Sequence, residues 1–195
     1  MAFQDFTFPE VCDTFGLTLR QAALYPHVPP LDRGQEFLER MAADATLATA
    51  INTEKARSEF MIAPVLSEVR RHHQARFALF SGVEFSVDPA RGLNGFCDFL
   101  FTRSPLQLVV TAPVIAIAEA KNVDMRGGYG QCIAAMVAAR EFNADATVVH
   151  GVVTTGSEWQ FATLAGSDLT LDLREYFASE LPAIMGILSH ILETA

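Results

Sequence analysis

The sequence predicts a mixed α/β domain with one central sheet and helices packed against it. Three observations lead there. Apolar runs in the middle of the chain have the length and the β-branched and aromatic content of strands, and turn signals bound them. Longer segments before, between and after those runs carry helical spacing. Their order is helix, three strands, helix, two or three strands, helix, which a single helix-covered sheet accommodates.

Residues 1–31 read as an irregular N-terminal arm that ends in Pro26-His27-Val28-Pro29-Pro30, and residues 32–195 as one domain. Asp32 offers an N-cap, with Gln35 as its capping-box partner, for a helix that continues to about Ala50. A second helix starts near Asn52 or Thr53 and reaches about His73. Ile62, Leu66 and Val69 form its apolar stripe, and Pro64 should kink or break it. Strands follow at Phe77–Val87, Leu93–Thr102 and Val114–Lys121, closed by Asp88-Pro89, by Arg103-Ser104-Pro105 and by Asn122. A Gly-rich turn, Arg126-Gly127-Gly128-Tyr129-Gly130, leads into a helix from Gln131 to about Phe142. That helix is apolar nearly all round and should be buried. Strands at Thr147–Thr154 and Trp159–Ala165, a short one at Leu169–Leu173 and a helix over about Glu175–Leu192 complete the domain.

Composition narrows the function. Half of the residues are hydrophobic and only 19% are charged, so the chain can fill a core, much of it from fifteen phenylalanines. The longest apolar runs, such as Cys132–Ala139, are too short to span a bilayer, and the first residues lack the features of a signal peptide. Three scattered cysteines without CxxC spacing read as buried free thiols in a reducing cytoplasm. The net charge of −9 argues against a broad basic surface for nucleic acid.

Against that background a few charged residues stand out. Glu119 and Lys121 close a strand that begins Ile115-Ala116-Ile117-Ala118. Residues i and i+2 of a strand point the same way, roughly 6–7 Å apart, so the carboxylate and the ammonium share a face. Ala118 and Ala120 face the other way and are small enough to sit under a packed helix. Asp98 interrupts an otherwise apolar strand, Gly95-Phe96-Cys97-Asp98-Phe99-Leu100-Phe101, and Glu59 falls on the stripe of Ile62 and Leu66. Converging buried carboxylates repel one another unless a cation joins them. A hard divalent cation suits such ligands, and a neighbouring lysine can orient a water, which is the equipment of metal-assisted phosphodiester hydrolysis.

Each residue also has a plain structural reading. Asp98 could bond to a nearby loop, and Glu119 with Lys121 could be a solvated strand end. Glu59 could be an acid favoured by the helix dipole, and Gln131 a simple first-turn polar residue. The Gly-rich turn lacks the GxxxxGK[ST] pattern of a phosphate loop. His72 and His73 diverge on a helix and do not suit one ion. Trp159 and Phe161 share a strand face and read as core.

Asp98, a gap of twenty residues, and then Glu119-Ala120-Lys121 at the end of an apolar strand resembles the PD-(D/E)XK nuclease superfamily, the restriction-endonuclease-like fold. Glu59 matches the acidic residue of that fold's first core helix. Gln131 matches a glutamine that opens the helix after the third strand. The predicted order over residues 54–165, αβββαβ, is that of the family core, and segments such as GLNGFCDF, IAEAKN and GYGQCIAAM look like a bacterial branch of small proteins of this fold. Cys97 stands in place of the motif's proline, which is often absent in the family. The resemblance implies Mg²⁺ or Mn²⁺ on Asp98, Glu119 and the Ala120 carbonyl. It implies that Lys121 positions the attacking water and stabilises developing phosphate charge, that Glu59 orients metal-bound water or helps hold a second ion, and that Gln131 contacts water or the scissile phosphate. It implies an endonuclease acting on nucleic acid, DNA ahead of RNA; the short apolar runs point to no membrane partner, and the acidic charge points to a homodimer or a partner subunit that compensates for weak affinity. Arg57, Arg70, Arg71, Arg76, Arg91, Arg103 and Arg126 are the expected basic rim. The alternative is a catalytically inactive protein of the same fold that serves as an assembly or interaction subunit.

Overall fold

A computed structural model describes residues 1–74, 76–144 and 147–194. Seven strands form one mixed sheet in the order β1-β7-β6-β5-β4-β3-β2, and a two-residue strand, β8, pairs with β6 beside the main path. They are β1 (Thr18–Ala22), β2 (Ala78–Asp88), β3 (Leu93–Thr102), β4 (Val114–Ala120), β5 (Val149–Thr154), β6 (Glu158–Ala165), β7 (Asp168–Asp172) and β8 (Tyr176–Phe177). β2, β3 and β4 form an antiparallel meander. β4 and β5 are parallel, joined by the crossover helix α5 (Met125–Phe142), because two parallel strands need a long connection.

The sheet is covered on both faces, as expected for a mixed α/β domain. On one face α5 packs with Phe3, Phe6 and Val11 of the N-terminal segment. On the other lie α2 (Gln35–Ile51), α4 (Ala63–His72) and α6 (Leu181–Thr194). β4 runs between these layers and is buried over its whole length. Trp159 and Phe161 are fully buried, and the three cysteines are free and buried. Among the described residues no helix is long and apolar enough to cross a membrane.

Residues 1–31 are not an irregular arm. They carry α1 (Glu10–Phe15) and β1, and β1 pairs in parallel with β7 at the sheet edge. Asp32 is not the N-cap of α2. That position is Gly34, whose N–H donates to Asp32 Oδ1 at 2.8 Å. The second helix begins as expected, with Thr53 Oγ1 accepting from the Ala56 N–H. It runs through α3 (Glu54–Arg57), a π turn (Ser58–Ile62) and α4 without a break. Pro64 is the reason for the π turn. It has no N–H to give the Phe60 carbonyl, and its ring needs that carbonyl moved aside. The Ala63 N–H accordingly bonds five residues back, to the Ser58 carbonyl.

The Gly-rich segment is the start of α5 rather than a turn before it. Close packing explains its glycines. A Cβ at Gly130 would lie 2.0 Å from the Phe6 carbonyl oxygen, and one at Gly128 would lie 2.6 Å from Val153 Cγ1 and 3.0 Å from Lys121 Cγ.

Candidate active site

The sheet opens where β3 leaves β4. Ladder pairs join Phe99 to Ala118 and Leu100 to Ile117, and they stop before Asp98. Alternation along β3 breaks at the same point. Leu93 and Cys97 pack in the α5 layer, whereas Phe99 and Phe101 pack in the opposite one. In β2 the matching break falls at Gly82, whose φ is +60°, and no ladder pair joins Gly82 to Asp98. Freed from regular alternation, Asp98 turns toward β4, and the Ala120 N–H donates to its Oδ2 at 2.8 Å. The carboxylate thus takes the place of the next ladder bond.

Glu119 and Lys121 lie on the α5 side of β4, and Ala118 and Ala120 pack on the other side with the α4 and α6 layer. The alternation read from the sequence is the one found. Lys121 Nζ donates to Glu119 Oε1 at 2.7 Å and to Gln131 Oε1 at 3.3 Å. Gln131 reaches the site from the second turn of α5. The Gly128 gap in that helix leaves room for the lysine stem.

The Glu119 side chain is 2% exposed. Burial, foremost, and then the Asp98 carboxylate push its pKa from the ordinary 4.5 up to about 8, against the pull of Lys121. Burial draws the Lys121 ammonium down. The Glu119 carboxylate and its hydrogen bond, with Glu54 and Asp98 behind them, outweigh burial and leave its pKa raised. Together these groups keep Lys121 protonated, while burial favours the neutral form of the Glu119 carboxyl.

This cluster forms the floor of a cleft of about 540 Å³ that residues 2–4 wall on one side. Among the described residues four carboxylates line it, Glu54, Glu84, Asp98 and Glu119, against one ammonium, that of Lys121. Glu59 is not among them. Its side chain is 53% exposed and pairs with Lys55 at 2.8 Å. The π turn is responsible, because a widened turn rotates the residues on its N-terminal side away from the stripe of Ile62 and Leu66. Glu54, at the start of α3, reaches the cleft instead. Glu84, opposite Phe96 in the β2–β3 ladder, is a further wall residue that sequence reasoning missed. The cap at Thr53 was the one sequence signal for Glu54, since it fixes where the helix end stands. Nothing in the sequence singled out Glu84.

The expected basic rim is not assembled, for none of the seven arginines lines the cleft among the described residues. Arg57 instead donates to Asn122 Oδ1, the Thr155 carbonyl and Ser157 Oγ, and so ties α3 to the loop after Lys121. Arg70 and Arg76 bond to backbone carbonyls, Arg71 pairs with Glu68, and Arg91 pairs with Glu141. Arg103 and Arg126 line other depressions.

Among the described residues no group of three His, Cys, Asp or Glu side chains is arranged to hold a metal ion. The cleft floor offers two such side chains, Asp98 and Glu119. No family model, no curated protein and no solved structure matches the chain.

Proposed function

We propose that the chain is a metal-dependent phosphodiester hydrolase of the PD-(D/E)XK type, acting on nucleic acid with Asp98, Glu119 and Lys121 at its centre. One observation carries the reading. A carboxylate that is 2% exposed lies beside a second carboxylate, and one ammonium serves both. Such a site is short of positive charge. A divalent cation between the two carboxyl groups would relieve the deficit by favouring the charged form of Glu119. The donors are all oxygens, and Mg²⁺ or Mn²⁺ commonly takes one or two carboxylates with waters completing its shell. Asp98 and Glu119 would hold the ion, with the Ala120 carbonyl as the third ligand suggested by the resemblance. When bound, the ion supplies Lewis acidity toward a phosphoryl oxygen and an activated water.

The chain's own groups divide the remaining work. Lys121 is held protonated, so it acts as a fixed charge and hydrogen-bond donor to the developing phosphate charge, not as a base at neutral pH. Gln131 orients Lys121 through its amide oxygen and keeps its amide N–H groups for water or a phosphate oxygen. Glu54, near enough for Lys121 to feel its charge, takes the water-orienting part that the sequence had given to Glu59.

The test is cleavage of labelled single- and double-stranded DNA and RNA in Mg²⁺ and in Mn²⁺, with Asp98→Asn and Lys121→Met prepared in parallel. Cleavage by the native protein that both variants lose supports the reading. Equal cleavage by all three would mark contamination and overturn it. The acidic cleft and the net charge of −9 favour one second reading, an inactive subunit that binds protein partners. It predicts no divalent-ion heat stabilisation that depends on Asp98.

A further inference from the structure

We infer that the cleft takes an unpaired nucleotide strand, with Phe96 as the platform on which a base stacks. This rests on the hydrolase reading above and names its substrate class. Phe96 is 64% exposed, the most exposed of the fifteen phenylalanines, and it lines the cleft two residues from Asp98 on β3. Two strand residues span about 6–7 Å, so a base lying on the ring would be within reach of the metal-binding carboxylates.

The ring stands on a fixed base. Glu84 and Phe85 pair with Phe96 and Gly95 in the β2–β3 ladder. Phe3, 1% exposed, fills the space over Gly95, where a Cβ would lie 3.1 Å from Phe3 Cδ2. Asn94 lines the same wall, and its Oδ1 is buried with no hydrogen-bond partner among the described residues.

The charge distribution selects the strand type. Duplex binding draws most of its affinity from cationic contacts that release counterions from the phosphates. Among the described residues this cleft is lined by one ammonium, four carboxylates and no arginine. Its affinity must come from a source that tolerates acidic walls. Stacking of an unpaired base on an aromatic ring is such a source, worth about 1–3 kcal/mol per base, or roughly 5- to 150-fold in affinity. Bases stacked inside a duplex do not offer that face.

The experiment is equilibrium binding of one labelled oligonucleotide, as a single strand and as its duplex, in Ca²⁺. The native chain is compared with Phe96→Ala and Phe96→Trp, and cleavage is measured separately in Mg²⁺. The expected result is single-strand binding tighter than duplex binding by on the order of tenfold or more. Phe96→Ala loses about tenfold of single-strand affinity with its melting temperature unchanged. Phe96→Trp keeps the affinity, and the single strand quenches its indole, against a background from Trp159, which is fully buried. Equal affinity for the two forms, indifference to Phe96→Ala, or no binding of either form overturns the inference. The two proposals fail separately. Cleavage that needs Asp98 together with binding indifferent to Phe96 leaves the hydrolase standing and removes the platform. Binding that needs Phe96 without cleavage in any metal does the reverse.

Discussion

Two of the described glutamates, Glu68 and Glu119, sit in the interior, and they are accommodated by opposite means. Glu68 on α4 is 4% exposed and meets two guanidinium groups, Arg33 at Oε1 and Arg71 at Oε2. Those arginines reach solvent with 29% and 69% of their side chains, so the clamp carries charge outward and leaves the carboxylate neutralised. Glu119 on β4 is 2% exposed and meets one ammonium, which Gln131 also engages and which Asp98 and Glu54 also attract. Burial is equal in the two cases. What differs is the ratio of cation to carboxylate, two to one at Glu68 and less than one to one at Glu119. A buried charge with surplus partners holds structure together. One with too few partners is a candidate functional site.

The largest effect that could break this contrast is catalytic. Lys121→Met and Asp98→Asn should each lower hydrolysis by about 10²–10³-fold, the range for losing one preorganised charge or donor. Glu68→Gln, assayed below its melting temperature, should stay within a few-fold of the native rate. Initial rates on a labelled single strand in Mn²⁺ measure all three. If Glu68→Gln falls as far as Lys121→Met, the two carboxylates are not separable and the charge ratio carries no functional meaning.

Stability should move in the opposite sense. Glu68→Ala strands Arg33 and Arg71 and releases the segment that Arg33 anchors to α4. Because both arginines can reach water, the cost is discounted to about 1–3 kcal/mol. For a domain of this size that is a fall of roughly 2–4 °C in melting temperature per kcal/mol. Denaturant unfolding at neutral pH measures it. A loss below about 0.5 kcal/mol, the scale of an ordinary surface substitution, would show that the clamp is ornamental.

How far the sequence disclosed this follows the same division between local and tertiary causes. β3 has the bounds its pattern predicts, and the shared face of Glu119 and Lys121 follows from alternation alone, because β4 is regular up to Ala120. Glu59 failed because a stripe computed at one fixed period cannot pass through a π turn. Pro64 flagged a disturbance there without fixing its form. β1 was missed for a different reason. Its five residues, Thr18–Ala22, are all exposed, so no hydrophobic pattern marks a strand that backbone pairing with β7 alone defines. The N-terminal phenylalanines looked like an arm because their partners, α5 and Gly95, are far away in sequence. Glu84 and Phe96 acquire meaning only once the β2–β3 hairpin places them across from each other.

The subtlest contrast concerns pH in metal-free buffer. The pKa of Glu119 rises on folding from 4.5 to about 8, so between those values the folded chain binds a proton that the unfolded chain has lost. Its contribution to stability is therefore complete below about pH 4.5 and is withdrawn as pH rises toward 8. Glu119→Gln removes that withdrawal, and the variant should melt higher than the native chain at pH 8 while matching it more closely near pH 5. His150 slopes the other way, since burial lowers its pKa from 6.5 to about 4 and its contribution fades as pH falls through that range. It is common to both proteins and cancels in the difference. Glu68→Gln should melt lower than the native chain at both pH values, and Mg²⁺ should raise the native melting temperature but not that of Glu119→Gln. If Glu119→Gln instead destabilises the chain at pH 8 as Glu68→Gln does, then Lys121 neutralises Glu119 fully, and the shortage of positive charge on which the metal site depends does not exist.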